Sequence, residues 1–353
     1  MKRVFAFVLV AVLVGFGWAS RSAAADKTYK WRTVSHSTVG TAHFKMIEEF
    51  CESVKTASQG RLVIEPYGAG VLFPVFNTFD SVKGGLVEMG MCSTGYWVGR
   101  DPGFGIFATR PGCPIRDYDE IMYLDKMAYP IMEELYGKHG VKLLGTFDTC
   151  AAEPLMLAKK KLASLEDFKG LNIRTSGLGA QFYKALGASP VSVSGPEVYT
   201  ALQLGTVDAA EWMGWKENME MAFQEVTKYV LEPACHLGGT SNQFLMVNPA
   251  KWNELPDDLK KIVLLAMDEA RYKSAVSVKV DNALFEHKWK EAGVEVFSLP
   301  AEEFKKMRQI GMQVYKDYAE ESPVGKEYLK VYAEALYNLG YEEEAKFFGY
   351  QAR

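Results

Sequence analysis

"LNIRTSGLGAQFYKALGASPVSVSGPEVYTALQLGTVDAAEW", Leu171 to Trp212, alternates three apolar runs with two short helical patterns. "LNIRT" has the form of a strand, and "GAQFYKALG" that of a helix stopped by Gly187. "SPVSVS" is the next strand, and "GPEVYTALQLG" is a helix with Pro196 in its first turn and Gly205 as its stop. "TVDAAEW" closes the stretch as a third strand. Strands that alternate with helices of this length predict parallel sheets covered by helices. Ligands of open α/β sheets gather just beyond the C-terminal strand ends, and Arg174, Glu211 and Trp212 stand at such ends.

The same grammar extends toward the N-terminus. "YKWRTVSHS" is strand-like, and in "TAHFKMIEEFCESVKTAS" the residues Phe44, Ile47, Phe50, Val54 and Ala57 recur at helical spacing. "RLVIEPYG", "LVEMGMCS" and "VKLLGTFD" follow as strands, with "FNTFDSVKGG" and "MAYPIMEELYGKHG" as helices between them. From "NPAKWNELPDDLKK" onward the text turns helical, broken by one short strand, "VEVFSLP". There is no repeat and no low-complexity linker. An α/β protein of two interleaved lobes is expected, with 26–151 and 240–279 in the first and 152–239 and 280–353, including the C-terminal helices, in the second.

Met1-Lys2-Arg3, the apolar run Val4 to Trp18 and "RSAAADK" have the form of a secretory signal peptide, residues 1–25, cleaved after Ala25. The run is shorter than the ~20 residues of a membrane span. The net charge of −4 becomes more negative once this basic segment is removed, so a nucleic-acid partner is not expected. Five cysteines at wide spacing, with no C-x-x-C, favour buried free thiols over a disulfide framework.

Catalytic motifs are absent: no H-E-x-x-H, G-x-S-x-G or phosphate loop is found where a strand meets a helix. The five histidines never fall at i, i+4; His36 and His43 flank a loop and are either pocket walls or structural. What remains suits binding. Arg174 ends an apolar strand, and its planar fork suits a carboxylate or sulfonate; the plain alternative is a surface salt bridge. Tyr96 and Trp97, beside a glycine turn, are pocket wall or ordinary core.

"PYGAGVLFP", "GYWVGRDP", "FKGLNIRTSG", "VYTALQLGTVDAAEW" and "NQFLMVNPAKW" resemble the DctP-type solute-binding proteins of tripartite ATP-independent periplasmic (TRAP) transporters, nearest to the 2-oxo-acid and monocarboxylate binders. The resemblance implies a periplasmic two-lobed binder that closes over an organic anion and delivers it to membrane permease subunits. It matches Arg174 to the ligand-carboxylate arginine. Glu211 and the carbonyl of Trp212 match positions that reach the ligand through a metal ion. The chain departs from that pattern twice: Leu237 of "CHLGGTS" stands where a second acidic ligand is expected, and Glu153 of "CAAEPLM" where a glutamine is. Two outcomes stay open. Glu153, Glu211 and Trp212 hold Ca²⁺ or Na⁺ between protein and ligand, or no metal binds and a carboxylate accepts hydrogen bonds from the ligand.

The expected ligand is a small or aromatic 2-oxo or hydroxy monocarboxylate, because one arginine among Phe44, Tyr96, Trp97, Trp212 and Trp215 suits a single charge on an apolar body. A short sulfonate is the next candidate. A hydrolase or lyase working with Glu153 and Glu211 is the rival of another class. Some relatives pair through a C-terminal helix, so "KEYLKVYAEALYNLGYEEEAKFFGY" is a candidate homodimer segment.

Overall fold

The computed structural model describes residues 27–351 except 116, 152, 238 and 239. The signal-peptide segment lies outside the described residues. The chain enters through β1 (Tyr29–Ser35), α1 (Ala42–Ala57), β2 (Leu62–Tyr67), α2 (Thr78–Lys83), β3 (Met89–Cys92), α3 (Gly103–Ala108), α4 (Tyr118–Lys138) and β4 (Lys142–Ala151). It then crosses to a second unit: β5 (Leu155–Leu157), β6 (Asn172–Arg174), α5 (Gly179–Ala185), β7 (Ser189–Val191), α6 (Val198–Leu204), β8 (Ala209–Ala210), α7 (Trp215–Glu220) and β9 (Tyr229–Leu231). It returns as β10 (Thr240–Val247), followed by α8 (Pro249–Glu254), α9 (Asp257–Glu291), β11 (Glu295–Phe297), α10 (Ala301–Glu320), α11 (Pro323–Asn338) and α12 (Glu342–Phe347).

Two sheets result, in the orders β2-β1-β3-β10-β4 and β11-β9-β5-β8-β6-β7. They are mixed rather than parallel throughout. β10 runs antiparallel to β3 and β4, and β5 antiparallel to β8 and β9. The reason is connectivity: β5 and β10 enter their sheets from the other unit, so no crossover helix obliges them to run parallel. Strand–helix alternation cannot reveal such an exchange.

α1 shows how the local code works. Thr41 caps it by accepting from Phe44 N–H, and its apolar stripe buries Phe44, Ile47, Phe50 and Val54 against β1 and β2. The longest helix, α9, is roughly 50 Å long at the standard rise. Leu259, Val263, Met267 and Ala270 pack in the first unit, while Trp289 near its end is buried in the second, so one helix ties both. Among the described residues no helix is long and apolar enough to cross a membrane.

The C-terminal helices require a correction to the expected division. Residues 280–353 do not all side with the second unit. Phe304 and Met307 of α10 pack there, but Tyr315, Tyr328, Tyr332, Leu336 and Phe348 join Phe104, Phe107 and Leu135 in the first. Tyr315 and Tyr318 donate to the carbonyls of Ile106 and Pro102, each at 2.8 Å, so their rings can be buried with the hydroxyls satisfied. Helical periodicity shows that such a face exists but not which sheet it covers. Cys51, Cys92, Cys113 and Cys235 are buried and free.

Candidate functional site

Between the two units lies a cavity of about 30 Å³, on a measure where one water needs about 10–15 Å³. His36, Ser93, Tyr96, Thr109 and Gln243 line it from the first unit; Glu153, Arg174, Glu211, Trp212, His236 and Leu237 from the second. The structure thus brings together Arg174, Glu153, Glu211, Trp212 and Tyr96, which the sequence singled out. Phe44, Trp97 and Trp215 do not line the cavity. Phe44 is on the inward face of α1. Trp97 packs against Phe79, Phe104 and Tyr136, with ring centroids 5.1–6.2 Å apart. Trp215 packs edge-on to Trp289 at 5.8 Å, in the core.

β6 and β8 are parallel neighbours, with Arg174 opposite Ala210, so their ends deliver Arg174 and Glu211 side by side. Arg174 is 1% exposed. Its Nε donates to Val193 O at 2.9 Å and its Nη1 to Glu211 O at 2.6 Å, which fixes the fork. Nη2 has no protein partner. The guanidinium sits 5.0 Å over the Trp212 ring, a cation–π contact between buried groups. Trp212 is in turn seated on Gly195, where a Cβ would collide with the indole. Gly195→Ala is therefore expected to displace Trp212 and cost about 1–3 kcal/mol, read as a lower melting temperature and weaker ligand binding. Unchanged values for both would show that the indole is free to shift.

His236 was missed, because sequence reading followed Leu237, one residue on, as the replacement for an acidic ligand. The signal was available: the departure in "CHLGGTS" brings a histidine with it. His236 Nε2 stands 3.6 Å from Glu153 Oε2 and 3.7 Å from Glu211 Oε2, and Nδ1 meets Tyr183 Oη at 3.2 Å. All three side chains are buried. Burial opposes an imidazolium there, but the two carboxylates outweigh it and raise His236 to about 9. Burial likewise pushes the Glu153 carboxyl up, helped by the neighbouring Glu211. On Glu211 burial pushes the same way, yet the Arg174 charge and His236 win and hold it well below the usual carboxylate range.

Glu153, Glu211 and His236 place one ligand atom each within 4.8 Å of one another. Two carboxylates and an imidazole nitrogen do not make the all-oxygen shell that Ca²⁺ takes. His236 Nε2, within 3.7 Å of both carboxylates, also pairs with them itself. The residues present do not fit the expected Ca²⁺ or Na⁺.

A second contact zone holds the units together. The first turn of α1 contains no acid of its own. Instead, Ala42 N–H donates to Glu220 at 2.7 Å and His43 N–H to Glu217 at 3.3 Å, both acids coming from α7 of the other unit. Carboxylates at a helix N-terminus are favourable by about 0.3–1 kcal/mol each, more when partly buried. His43 is anchored behind them by Ser37 and Asp148. The double change Glu217→Gln, Glu220→Gln should speed ligand release several-fold with little change in capture rate. Stopped-flow release at the wild-type rate would show that these contacts do not hold the units shut.

Residues 34–322 match the model of DctP, bacterial extracellular solute-binding protein family 7. The chain belongs to this family. A monocarboxylate 2-oxoacid-binding periplasmic protein of Nostoc sp. is 29% identical to this DctP-family chain over 242 residues, 68% of this chain and 66% of that protein. A TRAP periplasmic solute-binding protein of Colwellia psychrerythraea, with bound calcium and pyruvate, has 26% identity and a TM-score of 0.78, covering 92% of this chain and 100% of that one. One from Pseudoalteromonas atlantica, with bound sodium and pyruvate, has 25% identity and a TM-score of 0.79 over the same shares. The two-unit architecture with exchanged strands is thus that of a TRAP solute-binding protein.

Proposed function

We propose that this DctP-family protein captures one small organic monocarboxylate between its two units and hands it to the permease subunits of a TRAP transporter in the periplasm. The observation that carries this reading is a set of orphaned atoms. Arg174 Nη2, His36 Nε2 and Gln243 Oε1 are buried without hydrogen-bond partners, and all three residues line this cavity. Buried polar groups left unpaired are costly, so a set that converges on a cavity calls for a polar ligand.

Charge supports a monoanion. With Glu211 ionised, Glu153 protonated and both His236 and Arg174 cationic, the site has a net positive charge. Protonated His236 stands beside Glu153 and Glu211 and supplies the positive charge expected there of a metal ion, and Arg174 receives the carboxylate. Binding is by closure, since contacts from both units are needed at once. A short sulfonate satisfies the same arginine and is the next ligand to try.

Titration calorimetry with short monocarboxylates and sulfonates on dialysed protein tests this reading. One ligand per chain is expected, recovered unchanged after incubation. Trp212→Phe should remove most of the ligand-induced change in tryptophan emission, and Trp97→Phe, in the first core, should leave most of it. A ligand that binds tightly while Trp212 emission stays constant would place the site elsewhere.

A further inference from the structure

We propose that the ligand carries a hydroxyl donor beside its carboxylate, so that a short 2-hydroxy acid is preferred to the 2-oxo acid of the same skeleton. This rests on the organic-anion reading above and specifies its ligand class.

His36 follows β1 directly, at the C-terminal end of a first-unit strand, and is 2% exposed. Its ring is held edge-on to Trp212 at 5.8 Å and to Tyr96 at 6.4 Å. Nδ1 lies 3.4 Å from Met91 O. A carbonyl oxygen only accepts, so Nδ1 carries the proton. Burial and the neighbouring His43 hold the imidazole down to about 3, which keeps the ring neutral with that single proton. Nε2 is then a bare acceptor, and no protein group donates to it. Gln243, on β10 of the same unit, adds a buried amide oxygen without a partner.

The two walls of the cavity are therefore complementary in kind. Arg174 on the second unit offers N–H donors to a carboxylate, while His36 on the first offers a lone pair. With its carboxylate on Arg174 and its second group against His36, a 2-oxo acid leaves acceptor facing acceptor. A 2-hydroxy acid presents an O–H instead, on the carbon next to the carboxylate. An ammonium in its place would meet the Arg174 charge. Sites built to hydrogen-bond a ligand hydroxyl reject analogues lacking it, because their own polar groups are left unpaired.

The test is calorimetry with lactate, pyruvate and propanoate on wild-type protein and on His36→Leu, with and without chelator. Wild type should bind lactate at least about ten-fold more tightly than pyruvate. His36→Leu should erase that difference, bringing the ratio of lactate to pyruvate affinity to within about three-fold of one. Should the variant fail to fold, imidazole ¹⁵N resonances of wild type serve instead: Nε2 of His36 should shift with lactate and not with propanoate. Pyruvate binding as tightly as lactate overturns the inference alone. A lactate preference that survives His36→Leu removes His36 from it. Binding of none of the acids overturns the organic-anion reading together with this one.

Discussion

Arg174→Ala is expected to weaken binding of a small monocarboxylate by about 2–5 kcal/mol, the range for truncating one partner of a buried charge pair. Arg174 is held by Val193 O and Glu211 O, so its remaining Nη2 is presented in a fixed direction. Arg174→Lys should recover little, because an ammonium cannot serve both carbonyls and the ligand in one plane. Arg174→Ala leaves buried Glu211 with His236 as its remaining cation, and some loss of stability should accompany the loss of affinity. Calorimetry beside thermal melts separates the two. An alanine variant that binds at near wild-type affinity would end the assignment.

Raising the pH should have the other large effect. Glu153 is raised from an ordinary value of 4.5 and His236 from 6.5 to about 9. A raised folded-state value means stability that is present below the unfolded value and lost as pH climbs through the folded one. For Glu153 that loss begins above about 4.5, and for His236 above about 6.5, so both act in one direction. Glu211, whose value is lowered, contributes in the opposite sense and only in acid. The melting temperature should therefore fall between pH 6 and pH 9.5. Anion affinity should fall with it by about 3 kcal/mol as the cavity turns net negative. Glu153→Gln should flatten the lower part of both curves. Exhaustive chelation in Na⁺-free buffer should leave affinity at pH 7 unchanged. A loss of binding that added Ca²⁺ or Na⁺ restores would return the cation to this site and set aside His236 as its substitute.

Much of the site was legible because strand ends are legible. Gly187 and Gly205 end α5 and α6 and so bracket the strands, and Arg174 and Glu211 stand where the apolar runs of β6 and β8 give out. The aromatic residues were less so. Trp97 and Trp212 look alike in sequence, each beside a glycine, yet one fills a core behind β3 and the other lies under Arg174. Nothing local separates them, since the difference lies in which neighbours the fold brings up.

The sequence alone determined that the chain is α/β, that α1 and α9 form, and that an arginine and a glutamate stand at strand ends. Those features depend on periodicity, caps and stops within a few residues. Only the tertiary structure decided that β5 and β10 join antiparallel, that the tail from Tyr315 packs with the first unit, and that His36 and His236 meet in one cavity. Each of these depends on contacts between segments far apart in the chain, where burial and the pairing of charges, rather than local preference, select the arrangement.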